Sequence, residues 1–221
     1  MKLGSSLLFA GAMVCVAGGV AVHAQSANNM SFFVTSVGKG DGANLGGLAG
    51  ADAHCAALAK AAGSSKTNWH AYLSATPVQG AGAVDARDRI GSGPWINAKG
   101  TTIARNVDDL HSAKLTKEML INEKGMLVNG AGDTPNTHDI LTGSDSSGRY
   151  LSTGNFDTTC KNWTSNSEGS AMLGHHDGKG PPNATARHFT SWNASHTSRS
   201  CSQPDLVATG GAGLFYCFAT N

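Results

Sequence analysis

Apolar and polar positions first alternate in a regular way at Ser31-Phe32-Phe33-Val34-Thr35-Ser36. This β-branched and aromatic run predicts an opening strand. Gly38 to Gly47 is a Gly-rich loop carrying Asp41 and Asn44. Leu48 to Ala62 then changes period, with Leu48, Ala51, Cys55, Leu58 and Ala62 at helical spacing. Gly63 supplies the stop and Cys55 faces the core. Trp69 to Ser74 alternates again, with Trp69, Ala71 and Leu73 on one side. Ala86 to Ile90 and Pro94-Trp95-Ile96 read as a turn-and-strand stretch, and Leu120 to Val128 as a hairpin turning near Lys124-Gly125. From Asn129 to Thr220 loops dominate. The last apolar patch, Leu214 to Ala219, is the strongest strand of that half.

The first two dozen residues differ from the rest. Met1-Lys2 is a short basic start, Leu7 to Val22 is apolar or small, and Val22-His23-Ala24 places small residues before Gln25. The run of about 16 residues falls short of the roughly 20 that a bilayer core requires. A cleaved signal peptide over 1–24 is therefore expected rather than an anchor, followed by a flexible polar tail over 25–30 and one domain over 31–221. Val14 precedes Cys15 where a lipoprotein signal would have a small residue, so Cys15 is expected to leave with the leader. The destination is then a periplasm or the outside of the cell, with no membrane span after cleavage.

With 16 Lys+Arg against 15 Asp+Glu, the chain has no basic stripe to neutralise phosphates, so nucleic acid is not an expected partner. Its 29 glycines, about 13% where roughly 7% is usual, point to many turns rather than a helical bundle. Four cysteines follow the leader: Cys55, Cys160, Cys201 and Cys217. An even set in an exported chain reads as two disulfides, with three pairings open. None is spaced as CxxC.

Several blocks together resemble the C-type-lectin-like superfamily, and most closely its endostatin-like branch. They are Gly50 to Cys55, His70 to Ser74, Ala86 to Ile90 with Pro94-Trp95-Ile96, Gly143 to Leu151, Cys160-Lys161-Asn162-Trp163-Thr164, Ser200-Cys201 and Leu214 to Cys217. Each block alone is weak, and their collinear order carries the likeness. The resemblance implies an α+β domain with a twisted antiparallel sheet, one or two flanking helices and a long loop region. It also implies the pairs Cys55–Cys217 and Cys160–Cys201. By chain entropy these would contribute about 4–5 and roughly 4 kcal/mol.

Sugar-binding members of the superfamily hold calcium through a Glu/Gln-Pro-Asn/Asp triplet and a Trp-Asn-Asp triplet, because calcium takes six to eight hard oxygen ligands. This chain departs from both. Pro181-Pro182-Asn183 has Pro at the first ligand position, Trp192-Asn193-Ala194 has Ala at the last, and Gln203-Pro204-Asp205 falls after Cys201. Glu168 and Asp177 are the only carboxylates between Cys160 and Cys201. The calcium option therefore rests on Glu168, Asp177, Asn183 and Asn193, and the plainer reading is turn chemistry. Without calcium, Trp192 could stack on a sugar ring with Asp177, Asn183 and Asn193 as hydrogen-bond partners. Trp163 reads as core, as do Trp69 and Trp95.

His175-His176-Asp177, His188 and His196 raise zinc, but solvated loop histidines are the default for such a stretch. The zinc histidines of endostatin lie near its mature N-terminus, and Gln25-Ser26-Ala27-Asn28 has none. Gly38 to Ala43 matches a dinucleotide loop only superficially, and no GxSxG elbow is present. The resulting expectation is a non-catalytic, exported lectin-like module. It binds a carbohydrate or a cell-surface protein through the loops before Cys201 and requires no cofactor. A structural or adhesive domain without sugar binding is the alternative, and an envelope hydrolase the second.

Overall fold

A computed structural model describes residues 28–154, 156–180 and 187–220. The expected leader over 1–24 and Asn183 lie outside these residues. The protein is α+β, with one six-stranded sheet, a two-stranded ribbon and a few mostly short helices. In chain order the elements begin with β1 (Phe32–Val34), α1 (Gly47–Ala61), β2 (Trp69–Ala71), α2 (Ala86–Arg89), β3 (Trp95–Ile96), β4 (Thr102–Ala104) and α3 (Val107–Ser112). They continue with β5 (Asp139–Leu141), β6 (Met172–His175), β7 (His196–Thr197), α4 (Gln203–Ala208) and β8 (Gly211–Ala219). Among the described residues, no helix is long and apolar enough to cross a membrane.

The sheet runs β1-β8-β5-β6-β7, with β2 also paired to β8. β1 and β2 are antiparallel to β8, with Phe32 opposite Phe218 and Ala71 opposite Cys217. β5 is parallel to β8, which corrects the expected all-antiparallel sheet. The parallel pair arises because the chain travels through β6, β7 and α4 before it returns beside β5.

The two-residue period of a strand divides the core into two layers. Phe33, Trp69, Ala71, Leu73, Phe215 and Cys217 belong to the layer covered by α1. Phe32, Val34, Tyr72, Tyr216 and Phe218 face the other, which also holds Trp95, Leu110 and Trp192. The α1 helix buries Ala51, Cys55 and Ala59, one residue per turn along a single stripe. It ends where Gly63 adopts φ +83°, with Ser64 N–H donating to Ala59 O and Gly63 N–H to Lys60 O. That double bond is a Schellman stop, for which glycine is the favoured residue.

Ala86 to Arg89 is a single helical turn and Trp95–Ile96 the strand after it, so the turn-and-strand stretch read from the sequence is present. The Leu120 to Val128 segment is not a strand hairpin but a loop closed at Asn122, whose side chain accepts from the Lys124 and Met126 amides. Gln203-Pro204-Asp205 opens α4. Ser202 accepts from Asp205 N–H, and Pro204 occupies the first turn, where its missing N–H costs nothing.

Both disulfides implied by the resemblance are formed, Cys55–Cys217 with Cα atoms 5.6 Å apart and Cys160–Cys201 with 5.7 Å. Cys160 begins a helical turn over Cys160–Trp163 in which all four residues have positive φ, from 47° to 65°. Left-handed backbone costs L-residues roughly 1–2 kcal/mol each. Here it is held by the crosslink, by Asn162 Oδ1 accepting from Thr76 N–H and Oγ1–H, and by Trp163 Nε1–H donating to Ser74 O at 2.8 Å. Replacing Cys160 and Cys201 together by Ala is expected to lower unfolding stability by about 4 kcal/mol. Urea denaturation of the oxidised protein measures this, and a loss under 1 kcal/mol would show that the turn does not depend on the bond.

Candidate functional site

The Gly143 to Leu151 block is a tight hairpin. Asp145 Oδ1 accepts from the amides of Ser147 and Arg149 and from the Ser147 hydroxyl. Asn193 reaches it from the other side, its Nδ2–H donating to Asp145 O at 3.0 Å and to the Tyr72 hydroxyl at 2.9 Å. Tyr72 Oη in turn lies 2.7 Å from His111 Nε2, and His111 Nδ1 lies 2.7 Å from Val107 O. With Nδ1–H donating to the carbonyl, Nε2 accepts the tyrosine proton, and each group in this chain has a partner. Burial holds His111 below the ordinary imidazole range and raises the Tyr72 phenol far above its own, so the network is neutral at physiological pH. Gly148 permits the approach, because a Cβ there would lie 2.3 Å from His111 Nε2 and 2.5 Å from Tyr72 Oη.

Above this network opens a cleft of about 1080 Å³, walled by His111, Lys114, Asp145, Ser146, Trp192 and Asn193. Trp192 is only 7% exposed, packed against Tyr72 at 4.9 Å and Tyr216 at 5.2 Å between ring centroids. It lines the cleft as an edge rather than standing free as a stacking platform. Three distant segments, around 72, 111 and 216, enclose it although its neighbours in sequence are polar.

The proposed calcium ligands fare differently from one another. Glu168 is exposed and pairs with Lys161 at 2.6 Å. Asp177 has a fully buried side chain, taking the amides of Ala131 at 2.6 Å and Lys179 at 3.0 Å, with His138 Nδ1 at 3.4 Å. Burial alone would oppose its charge. These donors outweigh it and hold the carboxyl well below the usual range. Asn193 is committed to Tyr72 and Asp145 as above. The structure therefore does not bring Glu168, Asp177 and Asn193 together.

The expectation of solvated histidines is corrected for His175 and His176, which are 2% and 0% exposed. β6 ends at His175 and His176 begins the turn that follows, with both side chains buried. His176 Nε2 lies 2.9 Å from Asn129 O, and burial lowers its pKa. His175 lies opposite Asp139 in the β5–β6 register, beside His138 and His196. Burial opposes the charge of Asp139, and the surrounding imidazoles of His175, His196 and His138 favour it enough to leave its pKa below the ordinary value. Asp139 in turn raises the pKa of His196. His138 and Asp139 were not among the residues singled out from the sequence. The only signal was that His138-Asp139 and His176-Asp177 are both His-Asp doublets, each bordering a short apolar patch.

Residues 39–179 match the family described as "Protein of unknown function (DUF1554)". The chain belongs to the DUF1554 family. No curated protein matches it. The DUF1554 segment contains Cys55, Cys160, the Asp145 wall of the cleft and the His138-Asp139 and His175 positions, whereas Trp192, Asn193 and His196 lie beyond it.

Because Trp192 is core and Asn193 is a buried donor, both are expected to be costly to remove. Trp192→Ala should lose about 3–5 kcal/mol, and Asn193→Ala about 2–3 kcal/mol through the unpaired groups left behind. Glu168→Ala should leave the unfolding midpoint unchanged. Urea unfolding of the three variants checks this, and a Trp192→Ala protein as stable as the parent would mean that the side chain is not packed as described.

Proposed function

We propose that the chain is an exported, non-catalytic binding module of the C-type-lectin-like type, related most closely to the endostatin-like branch. Its ligand is a carbohydrate or a cell-surface protein held in the cleft between Ser146 and Trp192. The observation that carries this reading is the cleft itself: a solvent-open volume of about 1080 Å³ whose floor is a buried, neutral and fully paired Asn193–Tyr72–His111 network. A floor with no unpaired reactive group suits recognition rather than chemistry. Its walls offer hydrogen-bonding side chains, Lys114 and Asp145 among them, beside the aromatic edge of Trp192. Small-molecule sites are of this kind, a concave surface with a few placed polar groups.

The collinear residue blocks and the two crosslinks support the lectin-like assignment, and the basic-then-apolar leader with paired cysteines supports export. Fold alone does not carry sugar binding, so the ligand class rests on the cleft. Recognition is calcium-independent, since Asp177 spends its oxygens on amides and His138.

A glycan array and a panel of immobilised extracellular proteins test this with the oxidised chain. Binding is expected to one of these panels, unchanged when calcium is added or withheld, and reduced at least about tenfold by Ser146→Trp, a change of roughly 1.4 kcal/mol or more. Binding that requires added calcium would overturn the calcium-free mode. Turnover of generic ester, glycoside or peptide substrates, abolished by Asp177→Ala in a folded protein, would overturn the non-catalytic reading.

A further inference from the structure

A second cluster, formed where β5, β6 and β7 lie side by side, lies outside the lining of the cleft. Three imidazole Nε2 atoms converge on one carboxylate oxygen. From Asp139 Oδ1 the distances are 3.2 Å to His138, 3.2 Å to His175 and 3.4 Å to His196. The Asp139 side chain is 1% exposed and that of His175 2%, and His196 closes the solvent side at 32%.

Each ring also has its other nitrogen against an oxygen that carries no proton. His138 Nδ1 faces Asp177 Oδ1 at 3.4 Å, His175 Nδ1 faces Phe189 O at 2.7 Å, and His196 Nδ1 faces Thr197 O at 3.1 Å. Such acceptors place the ring proton on Nδ1, which leaves a bare lone pair at each Nε2. Three lone pairs would then face an anionic oxygen at close range, which is repulsive unless positive charge lies among them.

Protons are a poor source of that charge. Three imidazolium ions would outnumber the two carboxylates Asp139 and Asp177 in a buried site. The directions are also wrong: Asp139 Oδ1, Asp139 Oδ2 and His175 Nε2 are all buried with no hydrogen-bond partner. Atoms that bind one metal ion point at the ion and not along the line to each other, so they sit close without forming hydrogen bonds. Zinc bonds to imidazole and carboxylate are about 2.0–2.2 Å, which makes the edge of the coordination tetrahedron about 3.3–3.5 Å. The three oxygen-to-nitrogen separations fall at that length or just below it. Among the described residues, His138, Asp139 and His175 form the one group of potential ligands whose atoms all lie within 4.8 Å of one another.

We infer that His138, Asp139 and His175 bind a divalent transition metal of zinc type, with His196 closing the solvent side against Asp139. Asp177 and Phe189 O hold the His138 and His175 rings in the metal-binding tautomer. The ion fastens β5 to β6 at the end of the sheet that the Cys55–Cys217 bond does not reach. Gly210 provides space, because a Cβ there would come within 3.1 Å of the His138 ring. The inference is independent of what occupies the cleft.

The test uses the untagged, oxidised chain, stripped with a chelator and returned to metal-free buffer. Zinc titration by calorimetry is expected to show one saturable equivalent, and cobalt(II) to give the visible absorption of a tetrahedral complex. His138→Ala, with its fold checked by circular dichroism, should weaken zinc binding strongly and abolish the tetrahedral cobalt spectrum. Asp177→Asn should weaken it about 10–100-fold while circular dichroism shows an unchanged fold. His54→Ala, on α1, should leave binding intact. Failure of the folded parent chain to bind stoichiometric zinc would overturn the site, as would equal affinity in a folded His138→Ala variant and the parent.

Discussion

The architecture depends on the capture of the final strand. β8 is buried along almost its whole length and receives β1 and β2 antiparallel and β5 parallel, so each part of the main sheet is positioned relative to it. Its partners lie far away in sequence, with Phe32 paired to Phe218 and Trp69 to Ala219. Closing such loops costs chain entropy before any contact forms. The Cys55–Cys217 bond, spanning 162 residues, removes about 5 kcal/mol of that cost by restricting the unfolded chain. It also ties α1 to the centre of the sheet, so the layer under the helix and the pairing of β8 are stabilised by the same link.

A second mechanical chain leads from the other disulfide to the cleft. The left-handed turn at Cys160 to Trp163 places the Trp163 ring beneath Gly143, where a Cβ would come within 2.8 Å of the ring. Gly143 opens the hairpin whose Asp145 and Ser146 form one wall. The backbone cost of the turn is thus offset by burial of Trp163 and by the crosslink, and the result is a hairpin resting on a fixed aromatic base. Local strain is retained where it positions a surface that the rest of the chain over-determines.

Strands with a clear two-residue period were legible: Phe32–Val34 and the final run divide their side chains between two apolar layers, and Trp69–Ala71 places Trp69 and Ala71 in one of them with His70 turned to Asp52. The α1 helix was equally legible, because an Ala-rich stripe ends in Gly63. Trp192 and His175 were not. Their sequence neighbours are Ser, Asn, Gly and His, which read as loop, and what buries them are Tyr72, His111, Tyr216, His138 and Asp139 from other segments. A single sequence shows that a residue has polar neighbours, but not which distant segments will fold over it. The same reason hid the Asn193–Tyr72 bond, which makes a presumed ligand contact into a support.

The segment from Trp192 to His196 links the two clusters. Trp192 and Asn193 wall the cleft, while Ser195 Oγ lies 3.1 Å from His175 Nδ1 and Ser195 N–H donates to Leu173 O. Gly174 lets this segment lie directly on β6, since a Cβ there would overlap Trp192 O at 1.9 Å. Five consecutive residues are therefore clamped by the tyrosine–histidine network on one side and by the Asp139 cluster on the other. Ordering a loop during binding costs affinity, and a wall already fixed in place avoids that cost. Anything that secures His196 against Asp139 consequently stiffens the cleft as well as the sheet.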